Sequence, residues 1–273
     1  MMTGVLQLYP PPLKEHPLEG LYLAHDLRSI DRGDRPFVYA NFITSLDGRI
    51  AIEDETGNLG VPKMVANDRD WRLFQELAVQ ADVLFTSGRY MREYGEGKSQ
   101  EILKIYDDPR YGDLAEWREA RGLPRYPHLA VISKSAEFSI PEELRSDDRR
   151  IYVVTTAAAA SERVRSLQEH AEVFLSGGES VDGAVMVALL YERGYRHMYS
   201  ATGPKVLRML LAGGVLDRLY LTQTGRILGG DRYATIVEGA MLEPAVDFEL
   251  EMLYYDPAAL DGLGQLLFVY DRR

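Results

Sequence analysis

Hydrophobic and polar positions in this chain switch repeatedly between a short and a helical period. Phe37–Thr44, FVYANFIT, is apolar almost throughout, as a strand buried on both faces should be, and is interrupted by the single polar residue Asn41. The run stops at Ser45-Leu46-Asp47-Gly48, where Asp tolerates turn geometry and Gly supplies positive φ without steric cost. Short apolar runs recur at 82–86, 128–133, 150–155, 172–176, 196–200 and 217–222 and predict six further strands. Between them, Trp71, Phe74, Leu77 and Ala78 at helical spacing predict a helix over 67–80, capped by Asn67 or Asp68. Helices are also predicted over 90–93, 100–106, 113–121, 161–170, 181–193 and 205–211, the last with Pro204 at its first turn. Such alternation predicts right-handed crossovers and a mainly parallel sheet flanked by helices.

The two ends depart from that rhythm. Residues 248–255 and 266–271 read as two long strands joined by a turn, an antiparallel ending that places the C-terminus in the sheet. Residues 1–36 hold Pro10-Pro11-Pro12, Pro17 and a charged DRGDRP segment, and read as an extended arm on the surface, with 20–23 pairing briefly as a strand. The expected organisation is therefore an N-terminal arm over 1–36 and a single domain over 37–273. A charged, Gly-punctuated insertion at 90–126 reads as a lid or an oligomer contact.

Composition narrows the function. With 273 residues, 46% of them hydrophobic, a sizeable core is available. A net charge of −11 argues against non-specific nucleic-acid binding or an anionic membrane surface as the main role, so any phosphate must be held by local groups. The chain has no cysteine, which excludes disulfides, thiolate zinc sites and cysteine nucleophiles and fits a cytosolic protein. The first 17 residues lack a basic n-region and an apolar core, and no run reaches membrane-spanning length.

Local chemistry gathers where strands end. Ser87-Gly88-Arg89 follows one strand and opens a helix, a place where backbone N–H groups approach an anion and Arg89 adds a charge. Ser133-Lys134 and Thr155 close two more strands with hydroxyl groups, suggesting one sheet edge lined with donors, which is where open α/β sheets bind ligands. The pattern Asn41-x-x-x-Ser45-Leu46-Asp47-Gly48 resembles the reductase domain of riboflavin biosynthesis, a relative of dihydrofolate reductase. So, in order, do Ala66-Asn67-Asp68, the ADVLFTSGR stretch from Ala81 to Arg89, Gly203-Pro204-Lys205, Gly214-Val215-Leu216-Asp217-Arg218-Leu219 and Ile227-Leu228-Gly229-Gly230.

That resemblance implies a dihydrofolate-reductase-like α/β fold and an NADPH-dependent reduction. The substrate implied is a 5-amino-6-ribosylaminouracil phosphate or a related small molecule, whose opened ribosylamine accepts hydride at the sugar carbon. It implies that Thr202, Gly203, Pro204 and Lys205 seat the pyrophosphate at a helix N-terminus, and that Arg89, Ser133 and Lys134 hold the adenosine 2′-phosphate. Thr44, Ser87, Gly88 and Thr155 complete the implied cofactor contacts. Asn41 and Asp47 are expected at the reacting centre, Asn41 on the sugar and Asp47 orienting the nicotinamide end or the substrate, with Ser45, Gly48 and Glu93 on the substrate side. No metal is implied.

Two stretches depart from the family pattern. Ala201-Thr202 stands where the family turn has an acidic residue and a glycine, and Arg92-Glu93-Tyr94-Gly95-Glu96-Gly97-Lys98 stands where it has Asp-Asn-Pro and a phosphate-binding Arg. A non-catalytic NADP(H)-binding relative and a dihydrofolate-reductase-like enzyme with another substrate therefore stay open as alternatives. The likeness also implies a homodimer. Tyr254, Tyr255, Leu266, Leu267 and Phe268 would leave an apolar sheet edge exposed in a monomer, and a two-fold interface above roughly 2,000 Å² would bury it.

Overall fold

The computed structural model describes residues 4–55, 57–146 and 148–273. The N-terminal part supplies β1 (Val5–Tyr9), β2 (Lys14–His16), β3 (Phe37–Thr44), β4 (Ala51–Glu53), β5 (Leu59–Gly60) and α1 (Asp68–Ala78). The middle supplies β6 (Val83–Ser87), α2 (Gly88–Gly95), α3 (Gly112–Glu119), β7 (His128–Ile132), β8 (Ile151–Thr155), α4 (Ser161–Gln168) and β9 (Glu172–Leu175). The remainder supplies α5 (Gly183–Glu192), β10 (His197–Ser200), α6 (Pro204–Ala212), β11 (Arg218–Thr224), β12 (Tyr233–Ala234), β13 (Phe248–Asp256) and β14 (Gln265–Arg272). No helix among the described residues is long and apolar enough to cross a membrane.

Eleven strands form one sheet in the order β2-β1-β13-β14-β11-β3-β10-β6-β7-β8-β9. From β11 to β9 all neighbours are parallel, and β14, β13, β1 and β2 continue antiparallel. The expected mainly parallel sheet with antiparallel C-terminal strands is therefore what forms. Strand β3 lies between β10 and β11, with Tyr39 opposite Tyr199 and Asn41 opposite Tyr220. Its alternate residues feed two cores. Phe37 and Tyr39 pack with Leu73, Leu77 and Tyr199 on the α1 side, whereas Val38, Ala40 and Phe42 pack with Met186, Leu190 and Leu207 of α5 and α6.

The N-terminal segment is not a surface arm. Its VLQLY stretch, for which no strand was expected, pairs antiparallel with β13, and Val5, Leu21, Tyr22 and Leu27 are buried. Residues 20–23, expected as a brief strand, form a turn running into a 3-10 turn over Leu23–His25. Irregular backbone of this kind folds inward only if its polar groups find partners, and the helix α1 provides them. Glu76 accepts from the N–H groups of Gly20 (2.6 Å) and Tyr22 (2.8 Å), and Gln80, just past the helix end, accepts from Leu27 N–H at 3.0 Å and donates to Tyr22 carbonyl at 3.0 Å.

The same device explains a second difference. Residues 100–106 are not helical, because the side chain of Gln75 bonds Ile102 carbonyl (2.9 Å) and Lys104 N–H (2.8 Å), holding Ile102, Leu103 and Ile105 in the α1-side core in an irregular conformation. Arg118 of α3, itself buried, donates to the carbonyls of Val79 (2.7 Å), Ala81 (3.1 Å) and Pro124 (2.5 Å). The 90–126 insertion thus packs into the core with Tyr111 and Leu114 and does not hang over the sheet as a lid.

Candidate active site

Parallel strands bring their carboxyl ends to one edge. Across it stand Thr44-Ser45 after β3, Ala201-Thr202-Gly203 after β10, Ser87-Gly88 after β6, Ser133-Lys134 after β7 and Gly177-Gly178 beyond β9. A groove of ≈ 750 Å³ runs along this edge, lined by Ser87, Ser133, Lys134, Gly177, Gly178 and Lys205 among others. From β7 to β3 is three strand spacings, about 14 Å, a span for an elongated ligand.

The groove has features of an anion seat. Gly203 is the N-cap of α6, Pro204 fills its first position, and a Cβ at Gly203 would meet nothing within 4 Å. Among the described residues the N–H groups of Thr202, Gly203 and Lys205 bond no protein acceptor, so they are available at a helix N-terminus. Thr202 hydroxyl is paired with Ser200 hydroxyl at 2.7 Å, which fixes the turn in the absence of the family's acidic residue. Helices α5 and α6 approach closely beneath the groove because Gly183 and Gly213 lack side chains; a Cβ on Gly183 would lie 2.7 Å from Met209 carbonyl oxygen.

Not every expected cofactor residue faces this groove. Arg89 turns away, donating from Nε to Glu93 (2.5 Å) and from a terminal nitrogen to Leu59 carbonyl (2.7 Å). The i,i+4 pair explains this: on α2 the carboxylate is the nearest partner. Glu93 is accordingly committed to Arg89 and, through its carbonyl, to the N–H groups of Lys98 and Ser99, rather than presented to a substrate. Thr155 is buried and spends its hydroxyl on Lys134 carbonyl (3.3 Å), positioning that loop from behind. Thr44, also buried, donates to Ser45 carbonyl at 3.0 Å. Ser87 lines the groove and caps α2, and Ser133 lines it and accepts from Ala136 N–H at 3.2 Å. Gly88 is a packing glycine: a Cβ there would lie 2.9 Å from both Phe138 and Ser133 Oγ.

At the other end, the turn after β3 is locked by Asp47. Its carboxylate accepts from Ser45 hydroxyl (2.5 Å), Arg49 guanidinium (2.5 Å), Leu228 N–H (3.2 Å) and Gly229 N–H (2.9 Å). Gly48 supplies the positive φ of +80° that the turn needs. These donors, led by Ser45 hydroxyl and then Gly229 N–H, hold the carboxyl down at about 2, from an ordinary 3.8. Asp47 is thus an ionised staple between the β3 turn and the Ile227–Gly230 segment. Ser45 is buried and serves the same staple. A depressed folded pKa stabilises the fold fully above the unfolded value and loses its effect as pH falls through the folded one. In Asp47→Ala, hydrogen exchange at Leu228 and Gly229 is expected to quicken by about tenfold or more at neutral pH. The parent should show the same loosening as pH falls from about 4 towards 2, and unchanged protection in the variant would refute the staple.

Asn41 lies on the α1 side of β3, half-buried, and its Oδ1 accepts from Tyr199 hydroxyl. Beside it, between α1 and the sheet, stand residues the sequence had not marked for chemistry. Asp70, in the first turn of α1, accepts from Thr222 hydroxyl of β11 at 2.6 Å, and Thr222 is the register partner of Ile43. Burial raises the Asp70 carboxyl to about 6, Thr222 opposing and Asp256 adding to the shift. Trp71 and Phe74 stack with centroids 4.8 Å apart, and Phe74 meets Tyr199 edge-on at 5.6 Å. Sequence spacing assigned these rings to the core, and both are only partly buried.

The RibD C-terminal domain family matches residues 36–254 of the chain. Two curated relatives are named 2,5-diamino-6-ribosylamino-4(3H)-pyrimidinone 5′-phosphate reductase. That of Archaeoglobus fulgidus is 23% identical over 209 residues, 75% of this chain and 87% of the relative. That of Methanothermobacter thermautotrophicus is 24% identical over 213 residues, 78% of this chain and 88% of the relative. Among solved structures, a pyrimidine reductase-like protein from Corynebacterium diphtheriae superposes with a TM-score of 0.67 at 22% identity, covering 88% of this chain and 93% of that one. A riboflavin biosynthesis reductase of Saccharomyces cerevisiae does so with a TM-score of 0.57 at 13% identity, covering 93% and 99%. These likenesses establish the fold.

Proposed function

Because the chain belongs to the RibD C-terminal domain family, we propose that it is an NADPH-dependent reductase of a ribosylaminopyrimidine phosphate, acting in riboflavin biosynthesis in the cytosol. The observation that carries this reading is the continuity of one sheet edge, from the groove lined by Lys134 and Lys205, past the α6 N-cap Gly203, to Asn41 on β3, with family membership setting the reaction. The substrate we favour is the 2,5-diaminopyrimidinone form named for both curated relatives, with the 5-amino-uracil form as the alternative.

The chain's own residues account for binding and alignment. The unused N–H groups at the start of α6 take a pyrophosphate, and Lys205 on the first turn adds charge there. Ser133 and Lys134 receive a further phosphate two strands away. Bound in this way, a reduced nicotinamide supplies hydride, so the protein has to align the acceptor and exclude water. Asn41, held by Tyr199 and with no acceptor for its amide N–H among the described residues, presents that N–H to the ribosyl hydroxyls, and the staple at Asp47 fixes the turn beside it. Incubating the purified chain with NADPH and either pyrimidine should consume the nicotinamide absorbance and yield a ribityl product. Tight NADPH binding without turnover of either compound would instead favour a non-catalytic binding protein.

We propose further that the protein is a homodimer, by a surface other than the expected edge. That edge is already occupied, since β1 pairs with β13 and β2 with β1. What remains is a face: Leu253 and Tyr255 of β13 lie opposite Phe268 and Leu266 of β14, on one side of the sheet and only partly buried. Two copies packed face to face would cover it. Light scattering should give twice the 30.8 kDa chain mass, and Phe268→Asp should return it to that mass. A parent already at the single-chain mass at micromolar concentration would end the proposal.

A further inference from the structure

A second cavity, of ≈ 390 Å³, lies at the C-terminal end of α6, away from the carboxyl edge of the sheet, and is closed by the 241–247 segment and the end of β14. Two guanidinium groups line it, and each is seated on a glycine. Arg272 lies against Gly214, which has a φ of +69° and whose missing side chain makes the room: a Cβ there would stand 3.2 Å from a terminal guanidinium nitrogen. Arg208 lies against Gly239, where a Cβ would stand 2.5 Å from its Cδ, and its Nε donates to Ala240 carbonyl at 2.6 Å. Nothing else engages them. Among the described residues the Arg272 side chain has no hydrogen bond or ion pair, and the terminal nitrogens of Arg208 bond no acceptor. A cation beside a helix C-terminus ordinarily bonds the last carbonyls, and Arg272 bonds none of them. In a chain with 42 acidic residues against 31 basic ones, two half-buried guanidiniums without a carboxylate are groups that an outside anion completes.

We propose that this cavity is a binding site for a phosphorylated sugar or polyol. Guanidinium forks suit the oxygens of a phosphate monoester, which gathers several acceptors on one centre. The rest of the lining fits the carbon end. Leu211, Leu242 and Val246 form an apolar wall, while Glu243 and Asp247 bring carboxylates that are without an ion pair among the described residues. An ionised carboxylate only accepts, so its match is a hydroxyl donor. A bare phosphate would meet these two as like charges with nothing to offer them, which favours the ester. The volume is within the range of small-molecule sites, about 300–1,000 Å³. The third guanidinium of the lining, Arg273, is held by Glu249 at 3.4 Å and is not required. Arg208 and Ala212 line both this cavity and the groove at the sheet edge, but Lys134 and Lys205 line only the groove and Arg272 only the cavity. The two sites can therefore be separated by substitution.

Calorimetric titration of the full chain with glucose 6-phosphate, glycerol 3-phosphate, glucose and inorganic phosphate tests this. At least one ester is expected to bind saturably, about tenfold or more tighter than inorganic phosphate, and glucose to give no saturable binding. Arg272→Met should weaken that ester by about tenfold or more while its thermal midpoint stays within about 2 °C of the parent. Arg272→Lys should recover only part of the loss, because an ammonium keeps the charge without the fork. Lys205→Met, in the groove, should leave the affinity for the ester unchanged. Equal affinity in the parent and Arg272→Met, or a loss in Lys205→Met instead, would put the phosphate elsewhere and overturn the proposal. Inorganic phosphate bound as tightly as the ester overturns it too, and so does a parent that binds neither ester. None of these outcomes touches the reductase reading, which rests on the other cavity.

Discussion

Lys134→Met is expected to weaken NADPH binding roughly 10- to 100-fold and to leave NADH within about threefold, whereas Lys205→Met weakens both cofactors alike. The two lysines line one groove from different strands, Lys205 on the first turn of α6 and Lys134 after β7, two positions further along the sheet. A pyrophosphate is common to both cofactors, and the N-terminus of α6 is its proposed seat. Only NADPH carries the additional phosphate that is proposed to reach Ser133 and Lys134. One charge-assisted contact is worth about 1.5–3 kcal/mol, which gives the stated range. Arg89 would have been the third cation by sequence position, but its guanidinium is engaged by Glu93 and Leu59 carbonyl, so Arg89→Met should move NADPH affinity by less than about threefold. Fluorescence titration with both cofactors checks all three variants. Equal weakening of NADPH and NADH in Lys134→Met would remove the 2′-phosphate from this loop.

The largest effect on stability is expected at Glu76, in the interior of α1 and fully buried. Its carboxylate holds the N–H groups of Gly20 and Tyr22 and the guanidinium of Arg72, at 2.6, 2.8 and 2.8 Å. Glu76→Leu would leave two backbone donors and a largely buried cation short of partners, a loss of about 3–5 kcal/mol. Glu76→Gln keeps an acceptor for the backbone and should lose less than half of that, so the pair separates the charge from the hydrogen bonds. Urea unfolding of both variants gives the answer, and a Glu76→Leu protein within about 1 kcal/mol of the parent would show that the N-terminal segment contributes little to the fold.

What the sequence revealed followed from local pattern. The run from Phe37 to Thr44 reads as a central strand because both faces are apolar, and it lies between β10 and β11 as a strand of that kind must. The helix from Asp68, with Asn67 accepting from Asp70 N–H, was legible from its cap and from Trp71, Phe74 and Leu77. The N-terminal segment misled because Pro10-Pro11-Pro12 spoke for an extended arm, while the pairing of Val5–Tyr9 with β13 depends on a partner some 250 residues away, as Leu6 opposite Tyr255 shows. Residues 100–106 carry helical spacing, and only the folded chain reveals that Gln75 competes for their backbone.

The site was legible to a different degree. Lys134, Ser133, Ser87 and Lys205, singled out by their positions after strands, line one groove. Arg89 and Glu93 were separated into cofactor and substrate roles although their i,i+4 spacing on a predicted helix was a signal that they pair. Asp47 was expected at the reacting centre from the resemblance, and of the donors that engage its carboxylate Ser45 and Arg49 are local whereas Leu228 and Gly229 come from far along the chain. Asp70 was passed over for a related reason. An acidic residue in the first turn of a helix is ordinary helix chemistry, and nothing local shows that Thr222 of β11 would meet it.

The proposed reaction requires that hydride reach the sugar carbon of a ribosylaminopyrimidine bound beside Asn41. The measurement is transfer of deuterium from C4-deuterated NADPH, labelled on either face in separate reactions, followed by mass spectrometry of the product. One of the two labelled faces is expected to deliver a single deuterium to the first carbon of the ribityl chain, at a rate equal to NADPH consumption. NADPH consumed with neither face placing deuterium at that carbon, or a ribosyl chain returned unreduced from both reactions, would contradict it.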